Sequence, residues 1–253
     1  MVDCSTHAAG MPVWVDAMVP TVEKLAAFKE FLTGVFAWEW EHGAADTGFY
    51  SIATHRGRAV LGLGQMEGTS GTLVTYFATD DAAASVARAQ ALGATVLVAA
   101  TPILALGHMA LLMDPAGVVH GLWQARDFTG FGALYEVGAP GWFDHVSGDP
   151  EVAANYYREL TGHSLIEPEP GLRVLTNGEQ WFASISSPQV LAGQAHWNPI
   201  YLVDSLEGAR DAVLAAGGRV LVEEMTVPGS AISAFVEPVC ANVIVVMRPG
   251  VEP

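Results

Sequence analysis

Basic residues are scarce. The chain has 11 Lys and Arg against 27 Asp and Glu, a formal net charge of −16 over 253 residues. Nucleic acids and anionic membranes are polyanions gripped by Lys and Arg, so neither is expected as a partner. Cysteine is scarcer still. Cys4 and Cys240 stand far apart and without metal-type spacing, which excludes a disulfide framework and a cysteine-based metal site. Long apolar runs are missing too: VIVVM at 243–247 is far short of the roughly 18 residues of a membrane helix. The opening MVDCSTHAAG has neither the basic nor the apolar region of a signal peptide, and a cytoplasmic location is expected. Charged residues make up only 15% and hydrophobic ones 51%, a composition far from disorder and ample for a large core.

What the chain does have is repetition. MPVWVDAMVPTVEKLAAFKEFLTGV at 11–35 is echoed by APGWFDHVSGDPEVAANYYRELTGH at 139–163. Trp142 minus Trp14 and Asp144 minus Asp16 both give 128 residues. An internal repeat constrains the fold more than any local signal. The repeat divides again. Helix starts are expected near Thr21, Asp80, Asp149 and Asp204, with Pro150 suited to a first helical position. LGATVLVAAT at 92–101 parallels AGGRVLVEEM at 216–225, and Gly93 and Gly217 suit the left-handed residue that closes a helix. Hairpins turning at DPAG and EPVCAN follow. The coarse pattern is strand–helix–strand–strand–strand, four times, with modules at about 11–66, 72–125, 139–187 and 195–248 and a seam near 125–140.

This order of segments resembles the vicinal oxygen chelate superfamily of glyoxalases, bleomycin-resistance proteins and extradiol dioxygenases, in its tandem two-domain actinobacterial form. VWVDAMVP, YFATDDAAA, GHMALLMDPAGVVHGLWQ, GWFDHVSGDPEVAANYYRELTG and YLVDSLEGA carry the resemblance, which covers nearly the whole chain. It implies an α+β fold: four βαβββ modules forming two tandem domains, 1–127 and 128–253, each a curved sheet cup with helices outside. It also implies a small hydrophobic, aromatic or polyketide-like ligand, as in secondary metabolism and antibiotic biosynthesis, and a monomer or homodimer.

Metal-dependent members of that superfamily use His, Glu or Gln on the first and last strands of the modules. Here those positions read Trp14, Val74, Gly121, Trp142, Asn198 and Ile244, so no metal and no cofactor is expected. His120 reads as a core histidine, and His145, next to Asp144, points to the opposite face of its strand. Residues two apart on a strand share a face, so Trp14, Asp16 and Met18 look one way, as do Trp142 and Asp144. In the superfamily register that face is the cup interior, where an enclosed carboxyl could serve as acid or base. Asp16, Asp144 and His108 are the candidate catalytic groups. Trp14, Met18, Tyr76, Trp123, Trp142, Trp181 and Tyr201 are candidates for ligand contact. The same Trp and Asp residues could equally be inherited packing. Three functions remain open: a metal-independent enzyme doing acid–base chemistry (isomerisation, cyclisation, elimination or cofactor-free oxygenation), a non-catalytic drug-binding resistance protein, or a metal-dependent lyase or dioxygenase.

Overall fold

The structure, a computed structural model, describes residues 7–42, 50–187 and 196–250. Cys4 lies outside them. The first unit runs β1 (Pro12–Val19), α1 (Val22–Phe36), β2 (Glu39–His42), β3 (Ser51–His55), β4 (Arg58–Gln65), β5 (Thr72–Ala78), α2 (Ala82–Ala91), β6 (Thr95–Ile103), β7 (Gly107–Met113) and β8 (Val119–Ala125). The second runs β9 (Pro140–Val146), α3 (Pro150–Thr161), β10 (Ser164–Glu169), β11 (Leu172–Asn177), β12 (Gln180–Ser186), β13 (His196–Leu202), α4 (Leu206–Ala215), β14 (Arg219–Val227), β15 (Ser230–Val236) and β16 (Val243–Pro249).

Local chemistry starts each helix. Thr21, Asp81, Asp149 and Ser205 accept a backbone N–H at the four N-termini, and Pro150 follows its cap directly. Gly93 and Gly217 adopt φ of 95° and 82° just past their helices, conformations that a Cβ disfavours.

Each unit is one eight-stranded mixed sheet. The orders are β2-β3-β4-β1-β5-β8-β7-β6 and β10-β11-β12-β9-β13-β16-β15-β14, the same arrangement twice. In each, the opening strands of the two modules run antiparallel at the centre, β1 beside β5 and β9 beside β13. Each opening strand also pairs in parallel with a closing strand, β1 with β4 and β9 with β12. The sheets carry helices on the face that holds Val13, Val15, Ala17 and Val19, all buried. The opposite face holds Trp14, Asp16 and Met18 in one unit, and Trp142, Asp144 and Val146 in the other. This is the α+β, four-module architecture expected from the sequence.

The units meet through their helix-side surfaces. Asp114, in the β7–β8 turn, meets His145 Nε2 at 2.8 Å and accepts the Tyr157 hydroxyl at 3.0 Å, all inside the protein. Trp197 Nε1 donates to that hydroxyl, and His120 lies 2.8 Å from the Tyr156 hydroxyl. Burial alone would raise the Asp114 carboxyl. His145, the Val118 N–H and Tyr157 outweigh it and hold the group below its ordinary range. His120 and His145 therefore serve the core between the units. No helix among the described residues is long and apolar enough to cross a membrane.

Candidate functional site

The concave faces of the two sheets start from the same Trp–x–Asp and end differently. In the first, Trp14 Nε1 donates to Asp16 Oδ1 and to the Tyr50 hydroxyl, each at 2.9 Å. Tyr50 donates to the same carboxyl oxygen at 2.5 Å. Tyr50 reaches Asp16 because Gly62, the cross-strand neighbour of Asp16, has no side chain: a Cβ there would collide with both the Tyr50 hydroxyl and Asp16 Oδ1. Gly121 makes the same room for the ring of Tyr76.

The connector between the sheets closes this face. Phe128 and Phe131 lie 4.9 and 5.3 Å from the Trp14 ring, centroid to centroid, and Trp123 Nε1 donates to the Phe128 carbonyl. Trp14, Asp16, Tyr76 and Trp123 are all buried. Burial raises the Asp16 carboxyl, opposed by hydrogen bonds from Tyr50, Tyr76 and Trp14.

In the second unit the face stays open. A cavity of about 420 Å³ is lined by Trp142, Asp144, Trp181, Ser184, Ser186, Ile200, Met225, Ile232 and Met247, with Leu172 and Val174 on its β11 side. That volume lies within the range of small-molecule pockets. Trp142 Nε1 donates to Ser184 Oγ at 2.8 Å, and Ser184 donates to Asp144 Oδ1 at 2.6 Å. Ser186 Oγ lies 2.9 Å from Asp144 Oδ2. An indole N–H can only donate, so Ser184 accepts from it and turns its own hydrogen to Oδ1. Each carboxyl oxygen thus accepts one hydroxyl hydrogen and keeps a further lone pair at which a proton can be gained or released. Burial pushes the Asp144 carboxyl up to about 6, against the Ser184 and Ser186 hydroxyls and the neighbouring His145.

Of the ten candidates, Asp144, Trp142 and Trp181 line this cavity. Asp16, Trp14, Met18, Tyr76 and Trp123 come together on the concave face of the first sheet, inside packing. Two fall on the wrong face. His108 pairs with Gln124, whose side chain accepts the Ala82 N–H at the start of α2, so both residues sit on the helix side. Tyr201 also faces the helices, with its ring 5.1 and 5.3 Å from Phe36 and Trp38. The residue that answers Tyr76 is Ile200, because Trp14 pairs with Tyr76 and Trp142 with Ile200. Ser184 and Ser186 were not anticipated. Their one signal is a Ser-x-Ser at the end of the strand corresponding to Gly62-x-Gly64.

The superfamily's metal chemistry finds no matching donors here. The second cavity supplies one carboxylate and otherwise hydroxyl groups and apolar side chains. No group of three or more His, Cys, Asp or Glu side chains among the described residues is placed to hold an ion. A divalent ion needs several imidazole or carboxylate donors, so this set does not fit one.

No family model matches the chain. Among curated proteins it is similar to CFP32 of Mycobacterium tuberculosis, whose name places it among the glyoxylases, at 30% identity over 257 residues, covering 97% of each chain. It is 27% identical to the anthracycline biosynthesis protein DnrV of Streptomyces peucetius, covering 96% of this chain and 95% of that one. Among solved structures, the Mn(II)-bound glyoxalase from Novosphingobium aromaticivorans superposes with a TM-score of 0.69 at 16% identity, covering 95% of this chain and 82% of that one.

Proposed function

The chain belongs to the glyoxalase-like vicinal oxygen chelate superfamily, and from that premise we propose that it binds a hydrophobic, aromatic or polyketide-like small molecule in its second cup and acts on it by metal-independent proton transfer. One observation carries the reading. Among the described residues the open, apolar cavity is lined by a single ionisable side chain, Asp144, whose carboxyl burial has brought up to about 6. A group poised near the working pH is suited to both taking and returning a proton. Ser184 and Ser186 position the carboxyl, Trp142 orients Ser184, and the carboxyl exchanges the proton. The walls exclude water and hold the ligand flat against Trp142 and Trp181. The first cup acts as core, and Asp16 as its buried anchor. The anthracycline-biosynthesis name of one relative is in keeping with a polycyclic aromatic ligand.

A second reading, sequestration without turnover, draws on the same cavity: it holds only one acid–base group where a two-proton reaction would use two. Mass spectrometry separates the readings. The protein is incubated with a panel of aromatic polyketides, and the mass and retention time of each bound compound are followed. A product that forms with the native protein and is slowed about 10²–10⁴-fold by Asp144→Asn supports catalysis. Tight binding with no change in any compound leaves sequestration. Turnover that survives Asp144→Asn overturns the role of Asp144.

A further inference from the structure

The lining of the second cup also bears on the charge of its ligand. Among the described residues, Asp144 is the only ionisable side chain lining the cavity, and no Lys or Arg lines it. The carboxyl receives hydroxyl hydrogens on both oxygens, yet a carboxylate has about four lone-pair sites, so acceptor capacity is left over. Nothing in the cavity wall would neutralise an anion. A second negative charge beside Asp144 would be repelled in apolar surroundings, where such repulsion is strong. The net charge of −16 acts the same way at longer range, drawing cations and turning anions away.

We propose that the second cup takes a flat, largely apolar molecule bearing a protonated amine, with the nitrogen at Asp144 and the rings against Trp142 and Trp181. The proposal rests on reading the second cup as the ligand site and names the chemical class of its ligand. A charge-assisted N–H to carboxylate bond is roughly twice as strong as a neutral one, and the negative faces of Trp142 and Trp181 favour a cation further. The carboxyl thus provides most of the selection and the walls most of the affinity.

Three probes on one tricyclic frame test this: aminomethylanthracene, hydroxymethylanthracene and anthracenecarboxylate, a cation, a neutral molecule and an anion of nearly equal size. Binding is followed by anthracene anisotropy at neutral pH. The amine is expected to bind about tenfold tighter than the alcohol, and the carboxylate more weakly than either. Asp144→Asn should bring the amine within about threefold of the alcohol. Glu207→Gln, which removes an exposed charge in the first turn of α4, should leave the amine's advantage in place. Equal binding of amine and alcohol by the native protein overturns the proposal but leaves the cup as a ligand site. An amine advantage that persists in Asp144→Asn overturns it as well. If none of the probes binds to folded native protein, the reading of the cup as an aromatic-ligand site falls, and the proposal with it. The comparison of probes on the native protein stands even if Asp144→Asn fails to fold.

Discussion

The two cups are built on the same strand order and the same Trp–x–Asp, yet one is core and the other is a cavity. The difference is concentrated at a few positions of the concave faces. Gly62 and Gly64 in the first sheet stand where Ser184 and Ser186 stand in the second. The glycines admit Tyr50, and the serines hold the carboxyl toward an open space. β1 is buried on both faces along nearly its whole length, whereas Trp142 and Asp144 on β9 remain partly exposed. Above the first face the connector adds Phe128 and Phe131. A duplicated fold can thus keep one strand order while one concave face is filled and the other stays open.

Substitutions at matched positions should separate the cups by size of effect. The largest is expected at the plug. Phe131→Ala removes a fully buried ring against Trp14 and should cost about 3–5 kcal/mol, read from urea unfolding. Trp181→Ala, at a side chain 44% exposed on the cavity rim, should stay within about 0.5 kcal/mol and weaken ligand binding instead. Equal costs at the two positions would erase the distinction between plug and rim.

Next comes the carboxyl pair. Asp16→Ala leaves the Trp14 and Tyr50 donors without their shared acceptor inside the core, a loss of about 2–3 kcal/mol. Asp144→Ala lets water in the open cavity take over its serine partners, so its unfolding midpoint should barely move. A stable Asp16→Ala protein would show that the first cup is not closed around its carboxyl.

The relay in the second cup predicts about 1 kcal/mol for Ser184→Ala, because the Trp142 N–H and Asp144 Oδ1 each lose a partner. The Asp144 carboxyl should then titrate higher than in the native protein, which the pH dependence of its infrared carboxyl band would report. An unchanged band would mean that Ser184 does not hold the charge.

The smallest effect is on stability against pH. The Asp144 carboxyl titrates near 3.8 when unperturbed and at about 6 in the folded protein. Between those values the folded state keeps a proton that the unfolded chain has lost, so stability falls as pH rises through the window and levels off above about 6. The amplitude should be on the order of 1 kcal/mol, reduced by water in the open cavity. Asp16, raised by burial as well, adds a slope of the same sign. Asp144→Ala should therefore reduce this slope without abolishing it, and an identical slope in both proteins would assign it elsewhere.

Much of the architecture was legible because its signals are local. The helix starts at Thr21 and Asp149 and the glycines after helices each lie within one short segment, and the Trp–x–Asp echo is legible as spacing alone. Strand alternation placed Trp14, Asp16, Trp142 and Asp144 on the concave faces for the same reason. It placed Tyr201 on the wrong one. Ile200, not Tyr201, answers Tyr76, and since neighbours on a strand point to opposite faces, Tyr201 turns to the helices as Phe77 does. His108 was misplaced similarly, since its face depends on how β7 pairs with β8.

Sequence by itself determined four βαβββ modules, an acidic chain, and a Trp–x–Asp on each opening strand of the two units, because each follows from spacing along the chain or from composition. Only the tertiary structure decided that the first cup is filled and the second open. That outcome rests on contacts between residues far apart in the chain: Gly62 yielding to Tyr50 beside Asp16, Ser184 reaching Asp144 across forty positions, and Phe128 and Phe131 folding back onto Trp14. Space left by one side chain is a property of everything packed around it, and no periodicity along the chain encodes it.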